Sequence, residues 1–242
     1  MFKLKITLSY DGSIFNGFQV QSGSANTVSN KLYKIFTSLG IKEKFNASGR
    51  TDSGVHATRQ VIDIMVPLYW SDLEKLKNHI NHKAKPDINI KSIEKVDKSF
   101  HSRFDAKQRV YRYVISTKEF DVFRSRYILH VDRVDEQKIK SAIKLFKGSH
   151  NFEYFKKNGG NVTSFVREIY KAEFYAYDDV YVFLFEASGY LRSQIRMMVD
   201  FLLKISDGIY CEDDLKNQLS CKKKISSDLV LPNGLYLSKI VY

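Results

Sequence analysis

Twice along its 242 residues this chain passes from period-two alternation to helical spacing and back, and that order constrains the fold more than any other feature. Phe2, Leu4, Ile6 and Leu8 alternate with Lys3, Lys5, Thr7 and Ser9, as in a half-buried strand. Val28, Leu32, Ile35, Phe36 and Leu39 then recur at helical spacing, with Gly40 placed to end the helix. Strands are predicted near 42–49 and 60–66. Ser71 and Glu74 have capping-box spacing ahead of a helix through Leu73, Leu76 and Ile80, which Pro86 closes, and 88–97 reads as a strand. The order is β-α-β-β-α-β.

The second half repeats that order in pattern, not in residue identity. Residues 108–117 alternate as a strand, Ile139, Ala142, Ile143 and Phe146 mark a helix ending before Gly148, and strands are predicted at 163–176 and 180–187. Leu191, Ile195, Met198 and Leu202 line a second helix, and 234–241 supplies the last strand. The fold class is α+β: two such units are able to join edge to edge, their antiparallel sheets forming one extended sheet with a concave surface. Periodicity lapses around 98–107, which sets an N-terminal half at 1–100 and a C-terminal half at 101–242. Residues 149–162, with Gly159–Gly160, read as a polar and aromatic loop, and 206–233 as an irregular, basic tract.

Lysine and arginine number 39 against 27 acidic residues, a formal net charge of +12. That excess draws polyanions, although a merely solubilising surface gives the same count. The charges are mixed along the chain, which favours binding by a folded face over a basic tail. No apolar run reaches the roughly 18–20 residues that span a bilayer, and the N-terminal alternation differs from a signal peptide. A cytoplasmic protein with no membrane association is expected. Two cysteines and six histidines without ligand spacing predict neither a disulfide scaffold nor a metal site.

GRTDSGVHA at 49–57 sets Arg50 and Asp52 two apart beside a glycine turn. Asp52 is either a turn cap or, if 49–52 ends a strand, a carboxylate facing Arg50 that stays ionised and serves as nucleophile or base. Arg109, Tyr111 and Tyr113 share one face of a strand, for sheet packing or for stacking on an unstacked base. Arg192 and Arg196 stand four apart in LRSQIRMM, either as separate surface arginines or as a helical pair that takes a phosphate or carboxylate partner.

With these motifs in place the chain resembles the bacterial tRNA pseudouridine synthase A family. YDGSIFNGFQVQ at 10–21, GRTDSGVHA, FHSRFDAKQRVYRYVI at 100–115, GSHNF at 148–152, GYLRSQIRMMV at 189–199 and LPNGLYLSKIVY at 231–242 carry the likeness nearly end to end. The resemblance implies isomerisation of uridine to pseudouridine at positions 38–40 of the tRNA anticodon stem-loop, by a homodimer that has two ferredoxin-like halves per chain around a basic cleft and needs no cofactor or metal. It assigns the essential aspartate to Asp52, its motif arginine to Arg50, the tyrosine to Tyr111 and the helix arginine to Arg196. Arg109, Arg192, Arg59 and His56 complete the expected substrate-binding set. Gln194 and Ile195 stand where the family commonly has Met and Val, Asp200 where Gly is usual, and Leu231 in place of a common Ala. The rival readings are a non-catalytic RNA-binding protein and a base-removing glycosylase.

Overall fold

Alternation in the first nine residues becomes β1 (Phe2–Tyr10), with Leu4, Ile6 and Leu8 fully buried. The structure is a computed structural model and describes residues 1–21, 23, 26–159 and 163–242. The chain continues through α1 (Val28–Ser38), β2 (Asn46–Ala47), β3 (His56–Val66), α2 (Leu73–Ala84) and β4 (Ile88–Val96). Then come β5 (Gln108–Ser116), β6 (Leu129–His130), α3 (Glu136–Ala142), β7 (Gly148–Asn151), β8 (Val166–Tyr177) and β9 (Val180–Ala187). Helices α4 (Gln194–Ser206) and α5 (Glu212–Leu219) precede β10 (Leu235–Val241). The protein is α+β, and no helix among the described residues is long and apolar enough to cross a membrane.

Contacts divide the chain into two units, 1–107 with 236–242, and 108–235. In the first, β1 lies antiparallel between β3, from Phe2 opposite Val66 to Tyr10 opposite Ala57, and β4, from Lys3 opposite Val96 to Tyr10 opposite Ile88. The other edge of β3 takes β2 at Asn46–Asp63 and, in parallel, β10 at Tyr236–His56. The sheet is therefore open and mixed. Leu32, Ile35 and Phe36 of α1 and Leu76 and Ile80 of α2 are buried with the β1 residues, and the two helices touch. Burying each such side chain contributes about 1.5–3 kcal/mol, so this set outweighs any single polar contact.

Several sequence expectations shift here. The strand foreseen over 42–49 is only two residues long, whereas the one foreseen from 60 begins at His56. The cap of α2 is Asp72, whose carboxylate accepts the Lys75 N–H at 2.9 Å, and not Ser71, which sits in a helical conformation after a short 3₁₀ turn. The last strand, counted with the C-terminal half, belongs to the first unit, and that unit extends past residue 100 to Lys107.

In the second unit β5, β9, β8 and β7 pair antiparallel in that order, with β6 parallel to the end of β5. Its core is aromatic: Tyr113, Phe146, Phe152, Phe155, Phe183, Phe185 and Phe201 are all fully buried. The tract read as irregular holds α5. The loop foreseen at 149–162 instead opens with the last residues of β7 and a 3₁₀ turn at Glu153–Phe155, and Gly160 lies outside the described residues.

Asp63, on β3, is a buried carboxylate that the sequence did not single out. It accepts the Ser102 N–H at 2.8 Å and the Asn46 side-chain amide at 3.0 Å, with Lys3 Nζ 3.5 Å away. Burial acts to raise its pKa, but these hydrogen bonds and the Lys3 charge outweigh it and hold the carboxyl below its ordinary value. A lowered folded-state pKa adds stability above the unfolded value near 4, and that stability fades as pH falls through the folded value. Asp63→Asn should therefore cost roughly 2 kcal/mol at pH 7 in urea unfolding, and the gap to wild type should narrow below about pH 4. A gap independent of pH would contradict this assignment.

Candidate active site

The loop that carries Asp52 runs from Ser48 to Val55, between β2 and β3, and is fastened at both ends. The Ser48 N–H donates to the Val61 carbonyl at 2.9 Å, and its hydroxyl donates to Gln60 Oε1 at 2.6 Å. Gln60, fully buried, in turn donates from Nε2 to the Gly49 carbonyl at 2.9 Å. At the far end the Val55 N–H donates to the Asp52 carbonyl at 3.2 Å, closing a turn in which Gly54 has φ +78°. A positive φ at this place suits glycine, which explains the GVHA half of the motif.

The segment that follows β1, YDGSIFNGF, wraps over this loop. Tyr10 OH and Thr51 Oγ1 share a buried hydrogen bond of 2.8 Å, the Phe18 N–H donates to the Thr51 carbonyl at 3.1 Å, and the Gly54 N–H donates to Phe15 at 3.3 Å. A β-carbon at Gly12 would lie 2.0 Å from the Val55 carbonyl oxygen, and one at Gly17 would lie 3.0 Å from that of Thr51. Two glycines thus let backbone meet backbone on either side of Asp52. Thr51 is buried, Asp52 half-buried and Arg50 exposed.

Residues 49–52 form no strand, so the predicted pairing of Arg50 with Asp52 across one strand face fails. No hydrogen bond or ion pair of Arg50 is found among the described residues. His56, expected to touch substrate, is only 2% exposed. Its Nδ1 accepts the Gly12 N–H at 3.0 Å and lies 3.3 Å from Asp11 Oδ1, and its ring stacks on Tyr236 at 4.9 Å. It clamps the wrapping segment onto β3. Arg59, on the same strand, is exposed.

The second unit places the remaining expected residues. Arg109, Tyr111 and Tyr113 do share a face of β5, opposite Ala187, Phe185 and Phe183 of β9. Tyr113 is core: it is fully buried and its hydroxyl donates to the Leu231 carbonyl at 2.6 Å. The Leu231 side chain itself is exposed, so replacing a common Ala there leaves this bond intact. Burial, opposed by the Arg196 charge and aided by Asp200, pushes the Tyr113 hydroxyl far above the usual phenol range. Tyr111, 8% exposed, stands edge-on to Tyr190 at 5.3 Å and 84°. Tyr190 was passed over in the sequence, yet its buried hydroxyl has no hydrogen-bond partner among the described residues, and burial first, then Tyr111 and Glu186, raises its pKa well above normal. The Arg109 guanidinium donates to the Ser188 carbonyl at 2.6 Å.

Arg192 and Arg196 do not form the predicted i, i+4 pair on one helix. Ser193 takes a left-handed φ of 60°, so α4 begins only at Gln194, whose Oε1 accepts the Leu191 N–H at 2.8 Å. Arg192, exposed in the turn before it, donates to the Asn158 carbonyl at 3.2 Å. Arg196 lies in the first turn, half-buried, with Nε donating to the Val230 carbonyl at 2.8 Å. Lys204, two turns on, bonds Asp228 and lies 3.0 Å from Asp200, so the 228–230 strand of chain is tied to α4 at two points. Burial raises the Asp200 pKa, with Lys204 opposing and Asp228 adding to it. The Gln194 side chain thus ties the start of α4 to the turn before it, and Asp200 is an ion-pair member.

A family model described as tRNA pseudouridine synthase matches residues 6–105 and 142–242, so it takes in Asp52 and Arg196. The chain belongs to the tRNA pseudouridine synthase family. The tRNA pseudouridine synthase A of Wolinella succinogenes is 40% identical over 97% of this chain and 92% of its own length. That of Campylobacter jejuni subsp. jejuni serotype O:2 is 39% identical over the whole of both chains, and that of a Geobacillus species 36% over 99% and 98%. Among solved structures, a chain of a Cbf5–Nop10–Gar1 complex aligns at a TM-score of 0.38 and 13% identity, too distant to carry an argument. The synthase isomerises uridine to pseudouridine on tRNA, which settles the choice against a non-catalytic binder and a base-removing glycosylase.

The close approach at Gly12 gives a direct test of the loop's role. Gly12→Ala must push Val55, three residues from Asp52, without touching any group that reacts. A kcat about 100-fold lower with the fold retained by circular dichroism is expected. Wild-type kcat in that variant would show that the wrapping segment does not position Asp52.

Proposed function

We propose that Asp52 is the catalytic group for uridines 38–40 of the tRNA anticodon stem-loop, and that Tyr111 and Arg196 act on the same nucleotide, in a homodimer that works in the cytoplasm. The observation that carries this reading is the backbone clamp on both sides of Asp52, which leaves a half-buried carboxylate with little freedom to move. The isomerisation breaks the bond from C1′ to N1, turns the uracil and joins C1′ to C5. The C5 proton is lost and N1 gains one, so the balance needs no water, redox partner or phosphoryl donor. An ionised Asp52 serves this by attacking C1′, by attacking C6 of the ring, or by taking the C2′ proton toward a glycal, and all three stay open.

Taking the uridine out of its stack costs a few kcal/mol, which phosphate contacts to exposed cations offset. Arg50, Arg59 and Arg192 are exposed and suited to that work. Arg196 takes the role of the charge that steadies the leaving uracil. Tyr111 offers a ring to the detached base and retains it, because its escape would leave an abasic site. Arg109, held at Ser188, lies one pleat before Tyr111 on the same face and would contact the substrate beside it.

The test uses tRNA tritiated at uridine C5. Wild type should release tritium with no free uracil, and Asp52→Asn should bind tRNA normally while release falls at least ~1,000-fold. Undiminished release in that variant would remove Asp52 from the mechanism. Arg196→Ala should slow release more than Lys224→Ala does, and equal effects would displace Arg196 from the reaction.

A further inference from the structure

The turn at Phe100–Asp105 carries a feature that the isomerisation does not use. Phe104 is 73% exposed, yet its surroundings are ordered. The His101 ring lies 4.3 Å from the Phe104 ring at an interplanar angle of 40°, and the Arg103 guanidinium carbon lies 5.6 Å from the ring centre. The backbone beneath is fixed. Ser102, fully buried, donates its N–H to the Asp63 carboxylate, and its carbonyl accepts the Tyr242 hydroxyl at 2.9 Å. The His101 N–H donates to Asp105 Oδ2 at 2.9 Å, the Asp105 N–H to the His101 carbonyl at 3.0 Å, and the Arg103 N–H to His101 Nδ1 at 3.2 Å.

An isolated exposed phenylalanine is ordinary and calls for no explanation. What differs here is that a buried ionised carboxylate and a C-terminal tyrosine hold the turn, while His101 and Arg103 flank the aromatic face. Such a ring keeps its orientation before any partner arrives, which lowers the ordering cost of stacking on it. The neighbours His101, Arg103 and Asp105 are polar, so the ring does not extend along the turn into the larger apolar patch that marks a protein-docking surface. Exposed Lys98, Arg103 and Lys107 lie along the same stretch, and both carboxylates in it, Asp97 and Asp105, accept backbone N–H groups. A flat ring beside cations fits one ligand chemistry best: an unpaired nucleobase with its phosphate.

We propose that His101, Arg103 and Phe104 form an accessory stacking site for an unpaired base of the RNA substrate, separate from the uridine that reacts at Asp52. The site holds RNA and contributes to affinity. It takes no role in bond making, and stacking on a phenyl face gives it tolerance of base identity.

Fluorescence and filter-binding titrations with unmodified tRNA test it. Phe104→Ala should weaken tRNA binding about 10-fold, and Phe104→Leu nearly as much, since bulk without a π-face does not stack. The slope of log affinity against log salt should stay as in wild type, because no phosphate contact is lost. Phe104→Trp should bind as tightly as wild type, and its added indole emission should be quenched by tRNA beyond any change in the parent, whose only tryptophan is Trp70. Binding of the Ala variant within two-fold of wild type, or no quenching of the introduced indole, would overturn the proposal. A changed sedimentation state with tRNA affinity intact would overturn it too, and would assign the ring to a second copy of the chain. Tritium release measured on the same samples keeps this outcome apart from that of Asp52: loss of the stacking site raises the tRNA concentration needed, with the rate at saturation retained.

Discussion

Backbone meets backbone where the segment after β1 crosses the loop before β3, and the placement of Asp52 depends on that crossing. Gly12 and Gly17 have no β-carbon to hold the two segments apart: one at Gly12 would collide with the loop, and one at Gly17 would press on it. Tyr10, Phe15 and Phe18 then bond Thr51, Ser53 and Gly54 from above, while Gln60 and Val61 bond Ser48 and Gly49 from below. A loop is normally among the softer places in a protein. This one is tied through the backbone of Ser48, Gly49, Thr51 and Gly54 to partners outside it, which suits a carboxylate proposed to react, whose geometry is to be ready before the substrate arrives.

The second unit solves a related problem by different means. Its catalytic candidates sit on regular elements: Tyr111 in the middle of β5, Arg196 in the first turn of α4. The helix start is defined by Ser193 in the left-handed region and by the Gln194 side chain folding back on Leu191, so the register that presents Arg196 is locally determined. Val230 then takes one of the guanidinium donors, and the Lys204 contacts to Asp200 and Asp228 tie the same chain segment further along the helix. Asp200 adds an ionic contact to this tie.

How much of this the sequence disclosed follows from what periodicity can encode. Alternation in FKLKITLSY and the spacing of Val28, Leu32, Ile35 and Phe36 report burial on one face, so β1 and α1 were legible almost to the residue. Periodicity names an element without naming its partner, and so β10 was grouped with the half that precedes it although it pairs with β3. The helix α5 was hidden by the lysines after it, although Asp214 accepting the Cys211 N–H is a start signal that EDDL carries. At the site, the motif drew attention to Asp52, but the inferred strand geometry around Arg50 failed because the loop leaves strand pairing before residue 49. The work of His56, Gln60 and the two glycines was invisible, since each acts through a contact distant in sequence.

The clamp on both sides of Asp52 holds its loop rigid in the free protein. Amide hydrogen exchange on the protein without tRNA measures this most directly, at the Phe18 and Val55 amides that bond Thr51 and Asp52. Both amides should be protected close to the level of Ile6 and Leu8, in the heart of β1. Exchange of either at the rate of an unstructured loop would contradict it.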